Sequence, residues 1–211
     1  MPEPSPDSTA SGNSPVLNLL ASGLQAWIRQ QCEAVESLEL QLHGSALGLL
    51  RGRLEGVSLV ARRVIYSSLE IEMVELRSSA IQVQLGNLLK GQALQLHQAF
   101  QIEGYVAFTA AGLCRSLCMP QWRGLGDQLA ETLLGLTPLQ EVRIERDRLI
   151  LQAQGMSCDT LPEAVDGHLE LRRAEGEQLQ VALPGDPNIQ ISEANLEGRL
   201  LQLHGTARVL P

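Results

Sequence analysis

Leu94–Phe108, LQLHQAFQIEGYVAF, is the stretch that decides the fold class. Leu94, Leu96, Phe100, Ile102, Val106 and Phe108 all fall on even positions. Gln95, His97, Gln101 and Glu103 stand between them, and Gln98 and Gly104 interrupt the even side. A period of two sends alternate side chains to opposite faces, so this is a strand with one aliphatic face. Unbroken, it spans about 50 Å at roughly 3.3 Å per residue, far beyond the usual 5–6 residues. A sheet built from such strands is elongated.

The same period recurs outward from this run. Leu38, Leu40 and Leu42 alternate with Glu39, Gln41 and His43, and Ile81, Val83 and Leu85 with Gln82 and Gln84. Two strands change phase partway. Val57, Leu59 and Ala61 share a face, but Arg63 then lands on it and Val64 on the other; Leu69, Ile71 and Met73 give way to Val74 and Leu76. A one-residue slip of this kind predicts a β-bulge, and bulges curve a sheet. Val142 and Ile144, an Arg146-Asp147-Arg148 turn, and Leu149, Leu151 and Ala153 predict a hairpin. Val165–Leu171 and Leu179–Leu183 predict another, joined by a turn containing Gly176, and the last strand covers Leu200 to Val209.

Helices punctuate this pattern. Ser14-Pro15 reads as a cap followed by proline at the first helical position. Val16, Leu17, Leu20, Leu24, Trp27 and Ile28 then recur three and four apart, which predicts an amphipathic helix to about residue 34. It reads as a helix lying on a sheet, with an interfacial membrane helix as the other option. Thr109 caps a predicted helix over 110–118, and Leu125, Leu129, Leu133 and Leu136 mark another. The expected fold is α+β: an elongated, curved antiparallel β-sheet, half-barrel or tube-like. A long N-terminal amphipathic helix and one or two short helices complete it. Residues 1–14, rich in Pro and Ser, read as a disordered tail before a single domain over 15–211. That tail carries neither the positive start nor the apolar run of a secretory signal.

Short repeats support a meandering sheet of similar units. Leu49-Leu50-Arg51-Gly52 recurs as Leu88-Leu89-Lys90-Gly91, and Leu-Gln-Leu-His occurs at 40–43, 94–97 and 201–204. His43, His97 and His204 share one place in that tetrapeptide, on the polar side. They read as solvent-facing rim histidines, and a three-histidine metal cluster is the sharper option.

Composition removes several function classes. The net charge is −8 and Lys90 is the single lysine, so nucleic acid is not an expected partner and a lysine-rich membrane grip is absent. No stretch of about 18 consecutive apolar residues occurs, so no transmembrane helix is expected. Cys32, Cys114, Cys118 and Cys158 form no C-x-x-C pair and read as buried free thiols, with zinc at Cys114 and Cys118 the minor option. G-x-S-x-G, the P-loop, G-x-G-x-x-G and H-E-x-x-H are all missing. Glu70 and Glu72 share a strand face and read as a solvated edge rather than an acid–base pair. Nothing argues for an enzyme, and no cofactor or metal is expected.

Three segments together resemble the LmeA-like phospholipid-binding family of bacteria: Ser14–Ile28 (SPVLNLLASGLQAWI), Leu50–Tyr66 (LRGRLEGVSLVARRVIY) and Ile81–Leu96 (IQVQLGNLLKGQALQL). The Thr109-initiated helix, TAAGLCRSL, fits as well. The resemblance implies a curved sheet with a long helix, similar to tubular lipid-binding proteins, and a phospholipid or like amphiphile as ligand. It covers 14–155 well and the last third loosely. Leu94, Leu96, Phe100, Ile102, Val106 and Phe108 are then the candidate lining of an apolar groove, since burying each methylene contributes about 0.8 kcal/mol without a directional bond. Arg51, Arg53 and Lys90, beside the repeated glycines, are the candidate headgroup residues. The expected activity is non-enzymatic binding or transfer of phospholipid at a membrane surface, in a cytoplasmic or peripheral membrane location. A structural or adaptor protein acting through its N-terminal helix or tail is the competing class. Oligomeric state is open.

Overall fold

A computed structural model describes residues 15–82, 98–176 and 178–211. Helix α1 (Pro15–Gln31) leads into β1 (Ala34–His43), α2 (Ala46–Leu50), β2 (Arg53–Leu54), β3 (Gly56–Tyr66), β4 (Leu69–Ser78) and β5 (Ile81–Gln82). After β6 (Phe100–Thr109) come two helices, α3 (Ala110–Cys118) and α4 (Arg123–Leu134). The rest is strand: β7 (Glu141–Glu145), β8 (Arg148–Ala153), β9 (Met156–Val165), β10 (His168–Arg173), β11 (Gln180–Ala182), β12 (Ile189–Glu197) and β13 (Leu200–Val209).

The architecture is α+β. Six antiparallel strands form one sheet in the order β1-β3-β4-β6-β13-β12, and five form a second in the order β11-β10-β9-β8-β7. A two-stranded ladder joins β2 to β5, and among the described residues no sheet closes into a barrel. Local chemistry explains the helix ends. The Thr109 hydroxyl accepts the Gly112 N–H at 3.0 Å, which caps α3 where the sequence placed it. Gly135, at φ +70, takes the left-handed conformation that ends α4.

Three expectations need correction. The strand predicted over 94–108 begins only at Phe100: Gln98 and Ala99 are not strand, and Leu94–His97 lie outside the described residues. Val165–Leu171 is not one strand, because Asp166 and Gly167 make the turn between β9 and β10. Among the described residues the short helices number three, since α2 was not anticipated, and β12 was also missed.

The phase slips have a different cause from the predicted bulges. Val35 pairs with Val64 and Val64 with Ile71; Ser37 pairs with Arg62 and Arg62 with Met73. Register is therefore the same on both sides of the slip, and no residue is inserted. The pairing lapses only at Glu36, Arg63 and Glu72, where Arg63 sits at φ +47. Rolling the backbone there turns Arg62 and Arg63 both outward and Val64 inward. Leu38, Ala61 and Val64 consequently share one buried cluster with Ile71 and Val74. The register shift that does occur lies in β12, between Ile191 and Glu193.

Three buried clusters hold these layers together. The largest joins Phe108 and Leu201 of the six-stranded sheet to Leu129, Ala130 and Leu133 of α4 and to Val142, Leu151, Leu171 and Val181 of the five-stranded sheet. Helix α1 supplies the other two. Leu17 and Leu20 pack with Leu49, Leu54, Leu42 and Val57, while Ile28 and Cys32 pack with Leu38 and Ala61. Ser116, fully buried on α3, donates to the Gly112 carbonyl and accepts the Glu70 N–H, each at 2.8 Å, which ties the helix to β4.

Two sets of substitutions test this account. A left-handed backbone costs a non-glycine residue about 1–2 kcal/mol, and a β-branched residue more. Arg63→Gly should therefore stay within about 1 kcal/mol of the parent, whereas Arg63→Val should lose about 1–3 kcal/mol in denaturant melts. At the sheet centre, a Cβ on Gly205 would land on the Gln190 carbonyl oxygen, which is backbone and cannot step aside. One on Gly104 would meet the Leu76 Cδ2 at 3.1 Å, and a side-chain end can shift. Gly205→Ala should lower thermal stability by about 1–3 kcal/mol, and by more than Gly104→Ala does.

Candidate functional site

Register assigns the two faces of the six-stranded sheet. One rung runs Leu40, Leu59, Leu76, Gly104, Gly205, Ile191 across all six strands. Two residues along, another runs Leu38, Ala61, Val74, Val106, Leu203, Ala194. A third joins Ser78, Ile102, Ala207 and Ile189. The rung between the first two points the other way and reads Glu39, Val60, Glu75, Tyr105, His204, Glu193. One face is therefore aliphatic from edge to edge, and the other is largely polar.

Cover over the aliphatic face is uneven. Helix α1 lies over its β1–β3 side, and the largest cluster, with α3 and α4, lies over the Phe108–Leu201 end. Between them, Leu76, Ile102, Ile191 and Ala207 are half-buried and belong to none of the three clusters that the described residues form. Ile189, on the edge of the same face, is 45% exposed. A contiguous aliphatic surface left partly open on a folded sheet is where an apolar ligand gains most by docking. Next to it, a cavity of about 340 Å³ is lined by Ser79, Ala99, Phe100, Gln101 and Arg208.

The candidate lining residues divide along this gradient. Phe100 and Ile102 are half-buried at the open end, and Val106 is half-buried against the largest cluster. Phe108 is 8% exposed and packed inside that cluster. Leu94 and Leu96 lie outside the described residues. Leu76, Leu203, Ile191 and Ala207 were not singled out from sequence as lining, because only cross-strand pairing sets Leu203 beside Val106 and the other three around Gly104 and Ile102. The repeated Leu-Gln-Leu-His motif was the available signal for Leu203.

Arg51 caps the end of α2 and Arg53 begins β2; both are exposed, and Gly52 between them has φ +73. Their neighbours Leu49 and Leu54 pack with Leu42, Val57 and Ile81, so these arginines stand at the Ser78–Ile102 end of the sheet. Lys90 and the second copy of the repeat lie outside the described residues.

The other chemistry-bearing groups take structural positions. His43 exchanges a hydrogen bond with Ser58 at 2.7 Å, and His204 packs on Tyr105 with ring centroids 4.8 Å apart. They sit on β1 and β13, with three strands between them in the sheet order, and His97 lies outside the described residues. No metal-holding group of three or more His, Cys, Asp or Glu occurs among the described residues. Glu70 is not a solvated edge residue. Arg115 donates to both its carboxylate oxygens, at 2.7 and 2.5 Å, and that bidentate pairing holds its carboxyl below the usual range. All four cysteines are free, but only Cys158 is buried and Cys118 is exposed. Desolvation pushes both of those thiols up, and Cys114 adds to the effect at Cys118, away from the reactive thiolate form.

Among the described residues, no helix is long and apolar enough to cross a membrane. Neither a curated protein nor a solved structure matches the chain. A family model described as LmeA-like phospholipid-binding matches residues 13–210, nearly the whole length. With an aliphatic sheet face left partly open beneath a long helix, the chain belongs to the LmeA-like phospholipid-binding family.

Proposed function

We propose that residues 15–211 act as one non-enzymatic unit that binds a phospholipid, or an amphiphile of like shape, and takes it up or delivers it at a membrane surface. The observation that carries this reading is the aliphatic patch Leu76, Ile102, Ile191 and Ala207, half-buried yet outside every described cluster. An acyl chain laid along it exchanges water for leucine, isoleucine and alanine walls, at about 0.8 kcal/mol per methylene. Phe100, Ile102 and Val106 line the path, with Leu94 and Leu96 on the same alternating run. Phe108 closes its far end. Arg51 and Arg53 supply guanidinium donors for the phosphate where the patch opens, and Lys90, outside the described residues, is the third headgroup candidate. In this reading the protein is peripheral to the membrane.

A different class of function has one observation in its favour. Leu19 and Trp27 on α1 are 75% and 57% exposed, which suits a helix that contacts another protein. Native mass spectrometry of the whole chain separates the two, because a carrier retains adducts of phospholipid mass through mild preparation. Ile102→Trp should sharply reduce those adducts while stability stays within about 1 kcal/mol. If the position is packed solid, the same change costs about 1–3 kcal/mol and leaves bound lipid unaltered.

The headgroup residues have their own test. Arg51→Glu combined with Lys90→Glu should weaken binding to anionic phospholipid vesicles, and salt should shrink the difference, since screening acts over about 10 Å at 0.1 M. Unchanged binding at low salt by a folded variant would remove these residues from the site.

A further inference from the structure

At the opposite end of the six-stranded sheet, roughly 30 Å away along β6, lies a second and larger cavity of about 530 Å³. Three arginines from separate elements line it: Arg143 of β7, Arg146 in the β7–β8 turn and Arg199 in the β12–β13 turn. Ala110, the first residue of α3, lines it as well. Glu145 and Asp147 are the acids of the lining. The balance is one net positive charge, in a chain whose net charge is −8.

Two features set this cluster apart from ordinary surface arginines. Arg143 Nε is out of solvent with no hydrogen-bond partner among the described residues. The nearest carboxylate oxygen, Glu145 Oε1, is 3.8 Å away, too far to accept. The Arg143 side chain as a whole is 42% exposed, so an acceptor arriving from outside can reach the guanidinium and satisfy that donor. The amide dipoles at the start of α3 add partial positive charge on the same side.

The geometry points to a second ligand site, for a phosphate ester, held by Arg143, Arg146 and Arg199. Guanidinium forks match phosphate oxygens two at a time, and Arg143 Nε gains the acceptor it lacks. The volume is in the range of small-molecule sites, about 300–1,000 Å³, which admits the substituent of an ester as well as its phosphate. The ester is either a soluble metabolite or the headgroup of a membrane lipid. This site shares no residue with the aliphatic patch and stands or falls independently of acyl-chain binding.

Calorimetric titration of the full chain with inorganic phosphate and with glycerol 3-phosphate, at low salt, tests the proposal. Vesicles of phosphatidylglycerol in phosphatidylcholine form a second arm. Binding in either arm should weaken roughly tenfold or more in Arg146→Glu/Arg199→Glu, and Arg62→Glu, an exposed position on β3 in neither site, should leave soluble-ester binding unchanged. Dependence on Arg146 and Arg199 in the soluble arm assigns a soluble ester; dependence in the vesicle arm alone assigns a lipid headgroup. Should the double charge reversal unfold, Arg143→Gln serves instead, read by the same titrations. If no probe binds the parent chain, or binding is indifferent to all three arginines, the proposal is overturned.

Discussion

The left-handed backbone at Arg63 lets β1, β3 and β4 present aliphatic side chains to the same side of the sheet both before and after it. Strict alternation would have sent Val35, Val64 and Ile71 to the polar face. The lapse in pairing at Glu36, Arg63 and Glu72 turns them back without shifting the register. Charge holds the lapse in place: Glu36 pairs with Arg63, and the Glu72 carboxylate adds to the field that raises the arginine's pKa. Exposed pairs of this kind stabilise little on their own. Their effect is geometric, because they occupy the rung where ladder hydrogen bonds are missing. With one continuous aliphatic face below it, α1 can seat Leu17 and Leu20 at one end and Ile28 at the other, with Cys32 just beyond it.

That continuous face is wider than the elements packed on it. Helix α1 takes one side, and α3 and α4, with the five-stranded sheet, take the Phe108–Leu201 end. The second of these covers is fastened by polar contacts rather than by area alone. Ser116 binds the Glu70 N–H, the Trp122 indole N–H reaches the Ser67 carbonyl at 2.8 Å, and Arg115 grips the Glu70 carboxylate. Fastened at one end, these helices leave the middle and far end of the face partly open. A lipid-binding family and an incompletely covered aliphatic sheet are thus two views of one physical fact. A groove for acyl chains is a core that the protein does not finish filling.

Charge is distributed to match. Arg51 and Arg53 stand where the face opens, and Arg143, Arg146 and Arg199 surround a cavity at the closed end. Between them the polar face carries both signs, with Glu39, Glu75 and Glu193 on one rung and Arg77 beside Glu103 on another. Within an acidic chain, these two groups of arginines concentrate positive charge at opposite ends of the sheet.

Much of this was legible in the sequence. The period of two in β1, β6, β8 and β13 gave the antiparallel sheet, because alternation reports a one-sided strand whatever its partner. Thr109 and Pro15 marked helix starts through local hydrogen bonding and backbone restriction, which act within a few residues, whereas the stop of α4 at Gly135 was not read from sequence. The family resemblance likewise rested on turn-and-strand patterns that the whole-length match bears out. Tertiary structure alone decided the rest. A phase slip is the same in sequence whether a residue is inserted or a backbone rolls, and only the unchanged pairing across Arg63 separates the two. Strand β12 escaped notice because its register shift near Ser192 breaks the alternation that would have announced it. Leu76, Ile102, Ile191 and Ala207 come from four different strands, and Arg199 of the second cavity is far along the chain from Arg143 and Arg146. Their adjacency is set by strand order, which no local pattern encodes.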